Sequence, residues 1–129
     1  MEWLPQSSGI VVLRYFDGDP MVLVLYDKKS CDLPKGHRDP GESYLAAAIR
    51  ETYEEASVDD LVFPWGEISY DTLKTRFFIA ITEQDPYVKR NPVTGSFEHH
   101  GCTWMSLRKA LKVLPSWMRP AIIWANDVQ

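Results

Sequence analysis

Residues 36–58 read GHRDPGESYLAAAIRETYEEASV and combine a turn, a helix and a cluster of carboxylates in one short segment. Apolar residues recur at helical spacing from Ser43 to Ala56, which predicts an amphipathic helix. Glu51 precedes Glu54 and Glu55 by three and four positions, so this helix would present all three on one side. Because like charges repel one another, such a face indicates a site for a positive ion.

The rest of the chain predicts a sheet on which this helix can dock. Two strands joined by a turn are expected at 8–16 and 21–26, since both runs are rich in β-branched and aromatic residues. A third strand is expected at 72–82, where alternation would place Lys74 and Arg76 on one face. The remaining expectations are a loop and candidate substrate lid at 83–96, a strand at 102–105, a helix at 107–114 and a last helix from 115 or 116 to about 126.

Composition indicates one domain over residues 1–129 and argues against several functional classes. The chain is 45% hydrophobic and 25% charged, as is typical of a globular chain with an ordinary core. A net charge of −4 argues against a general nucleic-acid binder. Cys31 and Cys102 form no CxxC pair, no apolar run reaches membrane-spanning length, and the N-terminal MEWLPQSSG lacks the pattern of a signal peptide. We therefore expect a cytoplasmic protein without membrane or nucleic-acid partners, unless a targeting peptide has been removed.

Clustered carboxylates on a rigid helix suit a hard divalent cation. Mg²⁺ and Mn²⁺ prefer oxygen ligands, and both also bind and polarise phosphoryl groups. The pattern therefore predicts hydrolysis of a small-molecule phosphate chain, with water as the nucleophile. Candidates for binding this substrate are the basic residues Lys35, His37, Arg38, Lys74 and Arg76, together with Tyr87 for stacking.

A run of glutamates alone is most often a solvated helix face, but the residues before this run favour another interpretation. The chain resembles the Nudix family, because six identities of the Nudix box stand at their expected offsets as Gly36, Glu42, Arg50, Glu51, Glu54 and Glu55. The resemblance implies an α/β fold, the Nudix fold, which is an α/β/α sandwich with a mixed sheet. It also implies hydrolysis of a nucleoside diphosphate linked to another moiety, or of a related pyrophosphate, with Mg²⁺ or Mn²⁺.

The same resemblance implies roles for individual residues. Glu54 and Glu55 match the principal metal ligands, and Glu51 matches a ligand or a general base. Arg50 matches the residue that orients these glutamates through ion pairs. Glu42 is expected to have a structural role or to lie just outside the metal ligands, and the Gly36 carbonyl is expected to contact the metal.

Two positions depart from the box near the end of the helix. Thr52 stands where an aliphatic residue is usual, and its hydroxyl is expected to bond back to the Ala48 carbonyl. Ser57 stands where Gly would end the helix in a left-handed conformation, which costs a side-chain-bearing residue roughly 1 kcal/mol. Neither position is a ligand, so both bear on stability rather than on the reaction.

Two further stretches resemble particular branches of the family. LPKGHRDPGE at 33–42 is similar to the turn in diadenosine tetraphosphate hydrolases and in diphosphoinositol polyphosphate phosphohydrolases. SFEHHGCTW at 96–104 resembles the Ser-x-Glu-His segment, followed by Trp, of the asymmetric diadenosine tetraphosphate hydrolases. In that match Glu98 is a further metal ligand or general base delivered from a loop, whereas Trp104 is expected in the core.

Several alternatives to a dinucleoside polyphosphate substrate stay open. A diphosphoinositol polyphosphate requires a basic rim, for which the candidates are Lys28, Lys29, Lys35, His37, Arg38, Lys74, Arg76, Lys89 and Arg90. A dinucleotide requires aromatic platforms, for which the candidates are Trp65, Tyr70, Phe77 and Tyr87. A non-catalytic nucleotide-sensing module is a third alternative, which the presence of all the acids disfavours.

The histidines and the C-terminal tryptophans have weaker interpretations. A zinc site from His37, His99, His100 and Cys102 matches no standard spacing, so contact of His37 or His99 with phosphate is preferred. The segment 114–127 contains Trp117 and Trp124 and is expected to dock as a helix, although it could also support self-association. We expect a monomer or a weak homodimer.

Overall fold

A mixed sheet lies at the centre of the structure, a computed structural model that describes residues 4–129. Its strands are β1 (Ser7–Phe16), β2 (Asp19–Tyr26), β3 (Cys31–Asp32), β4 (Lys35–His37), β5 (Ser69–Asp71), β6 (Thr75–Ile81) and β7 (Gly101–Ser106). The sheet runs in the order β3-β2-β1-β6-β5, with β4 paired to β1 and β7 paired to β2. Strands β1 and β6 are parallel, and the other pairs are antiparallel.

Helices cover both faces of this sheet, as α1 (Tyr44–Ala56), α2 (Leu107–Val113) and α3 (Arg119–Val128). Successive residues of β1 point to opposite faces, so Ile10 and Val12 pack towards α1 whereas Val11 and Leu13 pack towards α2 and α3. The expected α/β/α sandwich with a mixed sheet is therefore confirmed. Residues 1–3, which belong to the domain expected over 1–129 and to the N-terminal stretch without a signal-peptide pattern, lie outside the described residues. None of the helices formed by residues 4–129 combines the length and apolar character needed to cross a membrane.

The expected hairpin joins β1 to β2 through Asp17 and Gly18. Both turn residues have positive φ, 52° and 86° respectively, as the tight hairpin turns that match strand twist require. The hairpin and the helix at 43–56 are thus close to their predicted positions.

The strand expected at 72–82 is wrong in its first part. Residues 72–74 form the turn between β5 and β6, held by the Thr72 side chain and the backbone of Thr75, and the strand begins only at Thr75. Because alternation does not extend into a turn, Lys74 and Arg76 do not share a face. Lys74 lies over the Trp117 ring on the α3 side, and Arg76 lies over the Tyr44 ring on the α1 side.

The last helix begins later than the expected position of 115 or 116. Turn-type bonds from Met118 to Pro115 and from Arg119 to Ser116 precede it, and α3 begins at Arg119. Pro120 lies in its first turn, where a missing N–H leaves no helical bond unmade.

Both ends of α1 are set by serines. At the start, the Ser43 side chain accepts a hydrogen bond from the Ala46 N–H. At the end, Ser57 adopts the left-handed conformation with φ 59°, as predicted, and its buried hydroxyl finds no partner among residues 4–129. The predicted bond from the Thr52 hydroxyl to the Ala48 carbonyl is also present, at 2.8 Å.

Ser57→Gly should raise the free energy of unfolding by about 0.5–1 kcal/mol. Glycine removes both the left-handed strain and the unpaired hydroxyl, and these gains exceed its greater entropy in the unfolded chain. Urea denaturation measures the difference. The matched control is Ser43→Gly at the other end of α1, where φ is −71° and the loss of the cap should destabilise the protein by a few tenths of a kcal/mol. A loss of stability in Ser57→Gly would show that the left-handed conformation and the unpaired hydroxyl of Ser57 do not destabilise the protein.

Candidate active site

The carboxylates of α1 are held against strand β4. The Glu55 Oε1 accepts a hydrogen bond from the Lys35 N–H at 2.7 Å, which fixes the helix to the strand. At the next position, a Cβ on Gly36 would overlap the Glu51 carboxylate, so only glycine permits this approach. The turn and the helix therefore converge on Glu51 and Glu55.

The Arg50 guanidinium connects the carboxylates to the preceding turn. It binds both oxygens of Glu42 at 2.8 and 2.9 Å and Glu51 at 2.8 Å. It also reaches Glu54 at 3.2 Å and the His37 carbonyl at 3.0 Å. Hydrogen bonds from Arg50 lower the pKa of Glu42 to about 2, and the same bonds raise the pKa of Arg50. Arg50 is thus bonded to the glutamates that the family resemblance implies it orients, and the orienting role itself stays a prediction.

A second row of polar groups lies behind Glu55. The His99 Nδ1 is 3.7 Å from the Glu55 Oε2, and the His99 Nε2 is 3.6 Å from the Asp32 Oδ2. Asp32 also binds the Lys35 ammonium at 3.0 Å. Burial raises the pKa of Glu55 to about 8, although the Lys35 N–H opposes this shift. The interaction with the Asp32 carboxylate raises the pKa of His99, and the interactions with His99 and Lys35 lower the pKa of Asp32 despite its burial.

These donors fit a hard divalent cation. One ligand atom each from Glu55, Glu98 and His99 lies within 4.8 Å of the others. Glu54, Glu55 and Glu98 all line one cleft of the protein surface. Glu51 packs against Gly36, and burial is the main cause that raises the pKa of Glu51. Buried carboxylates of raised pKa, together with a glycine that lets the chain approach them, are suited to binding a positive ion.

Two clefts adjoin the residues of this cluster. The loop cleft, of about 350 Å³, is lined by Glu54, Glu55, Glu98 and His99 and by residues 88–93 of the long loop. The tryptophan cleft, of about 640 Å³, is lined by Trp117, the β4 residues 35–37 and the turn at 73–75. Lys35 and Gly36 contact Glu55 and Glu51 and also line the tryptophan cleft, so both clefts adjoin the acid cluster.

The predicted substrate-binding residues are divided among three places. Lys35, His37 and Lys74 line the tryptophan cleft. Arg38 and Arg76 instead stack on the Tyr44 ring, with each guanidinium carbon 4.3 Å from the ring centroid, and Arg76 also pairs with Asp71. Tyr87 is exposed, lines neither cleft, and donates its backbone N–H to the Ala56 carbonyl. The roles of these residues in binding stay predictions.

Other sequence-based interpretations of the aromatic and histidine residues are resolved by packing. Phe77 is fully buried in the core and Tyr70 packs on Trp124, so neither offers a free platform. Trp104 packs on Phe16 beside the core, as expected. The four-residue zinc site is wrong: among residues 4–129, only His99 of that set belongs to a cluster of metal donors.

Two candidate functional residues were missed in the sequence. Asp32 precedes the motif by four positions and reaches the site through β3, and Trp117 reaches it from the segment before α3. Neither belongs to a local pattern. The only signal for Asp32 was a carboxylate directly before LPKG at 33–36. The only signal for Trp117 was an aromatic residue in the apolar C-terminal segment.

The fold and this arrangement define a metal-binding site of the Nudix type, and comparisons with known proteins agree. The chain belongs to the NUDIX domain family, whose model matches residues 4–125. It is 34% identical over 119 residues to a bis(5'-nucleosyl)-tetraphosphatase (asymmetrical) of Caenorhabditis elegans, covering 84% of this chain and 83% of the relative. It is 36% identical over 88 residues to the corresponding protein of Sus scrofa, covering 62% of this chain and 58% of that relative.

Solved structures show the same likeness. A crystal structure of a C. elegans Ap4A hydrolase binary complex superimposes with a TM-score of 0.75 and 25% identity, covering 96% of both chains. The recognition of the family, the fold class and the enzyme class of Nudix hydrolase are therefore confirmed.

Glu55→Gln should flatten the pH dependence of stability in the metal-free protein. The pKa of Glu55 is about 8 in the folded state against an ordinary value of 4.5. Between these pH values the folded chain keeps a proton that the unfolded chain releases, so the free energy of unfolding falls as pH rises. One pKa unit corresponds to about 1.4 kcal/mol, so the loss should be on the order of a few kcal/mol by pH 8.

Thermal unfolding with chelator from pH 5 to pH 8 measures this effect. The control is Glu54→Gln, because the Glu54 side chain is 53% exposed against 7% for Glu55, so this substitution removes a neighbouring glutamate but keeps the buried carboxyl. Equal slopes in the wild type and Glu55→Gln would show that Glu55 does not carry the buried proton.

Proposed function

We propose that this protein hydrolyses a phosphoanhydride bond of a dinucleoside polyphosphate such as diadenosine tetraphosphate, with Mg²⁺ or Mn²⁺ as cofactor. The observation that carries the proposal is that two clefts adjoin the acid cluster, one lined by its carboxylates and the other by Lys35 and Gly36, which contact them. A substrate with a nucleoside at each end needs space on both sides of the phosphate that is attacked. The names of the relatives from C. elegans and Sus scrofa support the same substrate class.

The tryptophan cleft has the chemistry of a nucleotide site. The Lys35 and Lys74 ammonium groups lie 5.8 and 5.3 Å from the Trp117 ring centroid. A half-buried indole offers a stacking surface for a base, and the two lysines supply positive charge for the adjoining phosphates. His37, at the rim of the same cleft, is placed to donate to a phosphate oxygen.

The metal would be held by Glu51, Glu54, Glu55 and Glu98, with the Gly36 carbonyl as a further contact. When bound, it would neutralise these acids and the phosphate chain and polarise the attacked phosphoryl group. Arg50 holds Glu51 and Glu54 in place through its hydrogen bonds.

Glu98 has a second role open to it besides ligation. It is exposed in the loop cleft and reaches the site from outside the helix, so it is placed to accept a proton from the attacking water. Glu51 is buried against Gly36 and is the other candidate base.

A diphosphoinositol polyphosphate is less well matched by the arrangement of charge. A densely phosphorylated ring needs many cations around one opening, but most of the candidates are separated and engaged with aromatic rings. Arg38 and Arg76 stack on Tyr44, and in the loop between β6 and β7 Lys89 stacks on Tyr53.

We also propose a cytoplasmic location and a monomeric or weakly dimeric state for this protein.

A side-by-side assay tests the substrate class. With Mg²⁺, we expect turnover of diadenosine tetraphosphate at least tenfold faster than that of a diphosphoinositol polyphosphate at equal concentration. Glu54→Gln should reduce kcat by several orders of magnitude while the protein stays folded. Product analysis in ¹⁸O water identifies the attacked phosphorus. Faster hydrolysis of the inositol substrate would favour the alternative, and binding without turnover would favour a sensing module.

Trp117→Leu should raise KM for the dinucleotide about tenfold with a small change in kcat. This is the expected result of losing a stacking contact made equally in ground and transition states, worth about 1–2 kcal/mol. The control is Trp124→Leu, because Trp124 packs on Tyr70 and should affect stability but not KM. An unchanged KM in Trp117→Leu would remove this cleft from the binding site.

A further inference from the structure

A histidine lies among the carboxylates of the metal site and is held from its far side by an aspartate. The His99 side chain is only 13% exposed, and its two ring nitrogens face different acids. Nδ1 points to Glu55 at 3.7 Å, and Nε2 points to Asp32 at 3.6 Å. His99 lies outside the Nudix box, in the loop directly before β7.

The Asp32 carboxylate is held in position by hydrogen bonds other than its contact with His99. Its Oδ1 accepts the Leu33 N–H at 2.9 Å, and its Oδ2 accepts from the Lys35 ammonium at 3.0 Å. A carboxylate held in this way favours the His99 tautomer that carries its proton on Nε2. The Nδ1 lone pair is then directed at the space between Glu55 and Glu98.

The backbone around His99 is also constrained. The neighbouring His100 donates its N–H to the Tyr26 carbonyl at 2.9 Å, and β7 begins at Gly101 in register with Tyr26. The Tyr26 hydroxyl also packs against Gly101, in the space that a Cβ would occupy. The sheet therefore sets the position of His99 from one side while Asp32 sets its ring from the other.

We propose that the His99 Nδ1 is a metal ligand, together with Glu55 and Glu98, and that Asp32 is the residue that orients it. The inference rests on the proposed metal site and is independent of which phosphoanhydride is cleaved. Two ligands on one ion at about 2.2 Å lie at most about 4.4 Å apart. One ligand atom from each of the three residues lies within 4.8 Å of the others, and Nδ1 itself is 3.7 Å from the Glu55 Oε2, so a closure of a few tenths of an ångström completes the site.

A nitrogen donor changes which ions the site prefers. Mg²⁺ strongly favours oxygen, whereas imidazole suits Mn²⁺ and later transition ions. His99 therefore tunes the site towards Mn²⁺ over Mg²⁺. His99→Gln should weaken Mn²⁺ binding roughly tenfold or more and Mg²⁺ binding much less, whereas Glu98→Gln should weaken both.

Pulsed electron paramagnetic resonance of Mn²⁺ bound to the full chain tests the ligand directly and needs no turnover. The wild type should show the modulation of a directly coordinated imidazole nitrogen, and ¹⁵N labelling of histidine should change its frequencies without any substitution. His99→Gln should lose the signal while still binding Mn²⁺. His100→Gln, one position away and exposed, is the matched control and should retain it.

Asp32→Asn separates the orienting role from ligation. It should keep the nitrogen signal but bind Mn²⁺ about tenfold more weakly, as is typical when the partner of a ligating histidine is removed. Bound Mn²⁺ without a histidine nitrogen signal, or a signal that survives in His99→Gln, would overturn the proposal. Failure of the chain to bind Mn²⁺ at all would overturn the metal site itself, whereas failure on diadenosine tetraphosphate with the signal intact would overturn only the substrate.

Discussion

The bidentate pair between Arg50 and Glu42 is the contact on which the site depends. It fixes the turn after β4 to α1, and the same guanidinium then binds Glu51 and Glu54. Without a cation that binds several of them at once, the carboxylates of this cluster would repel one another and separate. Arg50 keeps these acids in place without occupying the side of Glu55 that faces the loop cleft. The turn, the helix and the strand can therefore be treated as one rigid body that carries the donors.

Lys35 connects this body to the substrate side. Its backbone N–H binds Glu55, its ammonium binds Asp32, and its side chain lies beside the Trp117 ring. The metal-binding acids and the tryptophan cleft thus share one residue. A substitution of Lys35 alone would disturb the orientation of His99 through Asp32 as well as any contact with phosphate, so its effect on activity has two physical sources.

Local spacing explains what the sequence could predict. The box residues, the helix at 43–56, the left-handed Ser57 and the bond from Thr52 to Ala48 all follow from separations of a few positions. Lys74 and Arg76 were misplaced because a turn at 72–74 interrupts the alternation, and alternation alone does not reveal where a strand begins.

Asp32, and its contact with His99, escaped prediction for a different reason. They meet only because β3 and β7 both pair with β2. No local pattern contains that register. Trp117 similarly enters its cleft through the packing of α3 on the sheet, while its position in the sequence indicates only an apolar segment.

The parallel pairing of β1 with β6 has a consequence for how the protein folds. Ser7 and Thr75 are partners in this ladder and bond through their side chains across 68 positions of the chain. Such distant pairings must form before α1 and β4 have a complete sheet to dock on, so we expect folding in the slower range for domains of this size. During synthesis, Glu98 and His99 can join the helical acids only after β7 has emerged, so the nascent chain carries an acid-rich helix without its loop donors until that strand has been made.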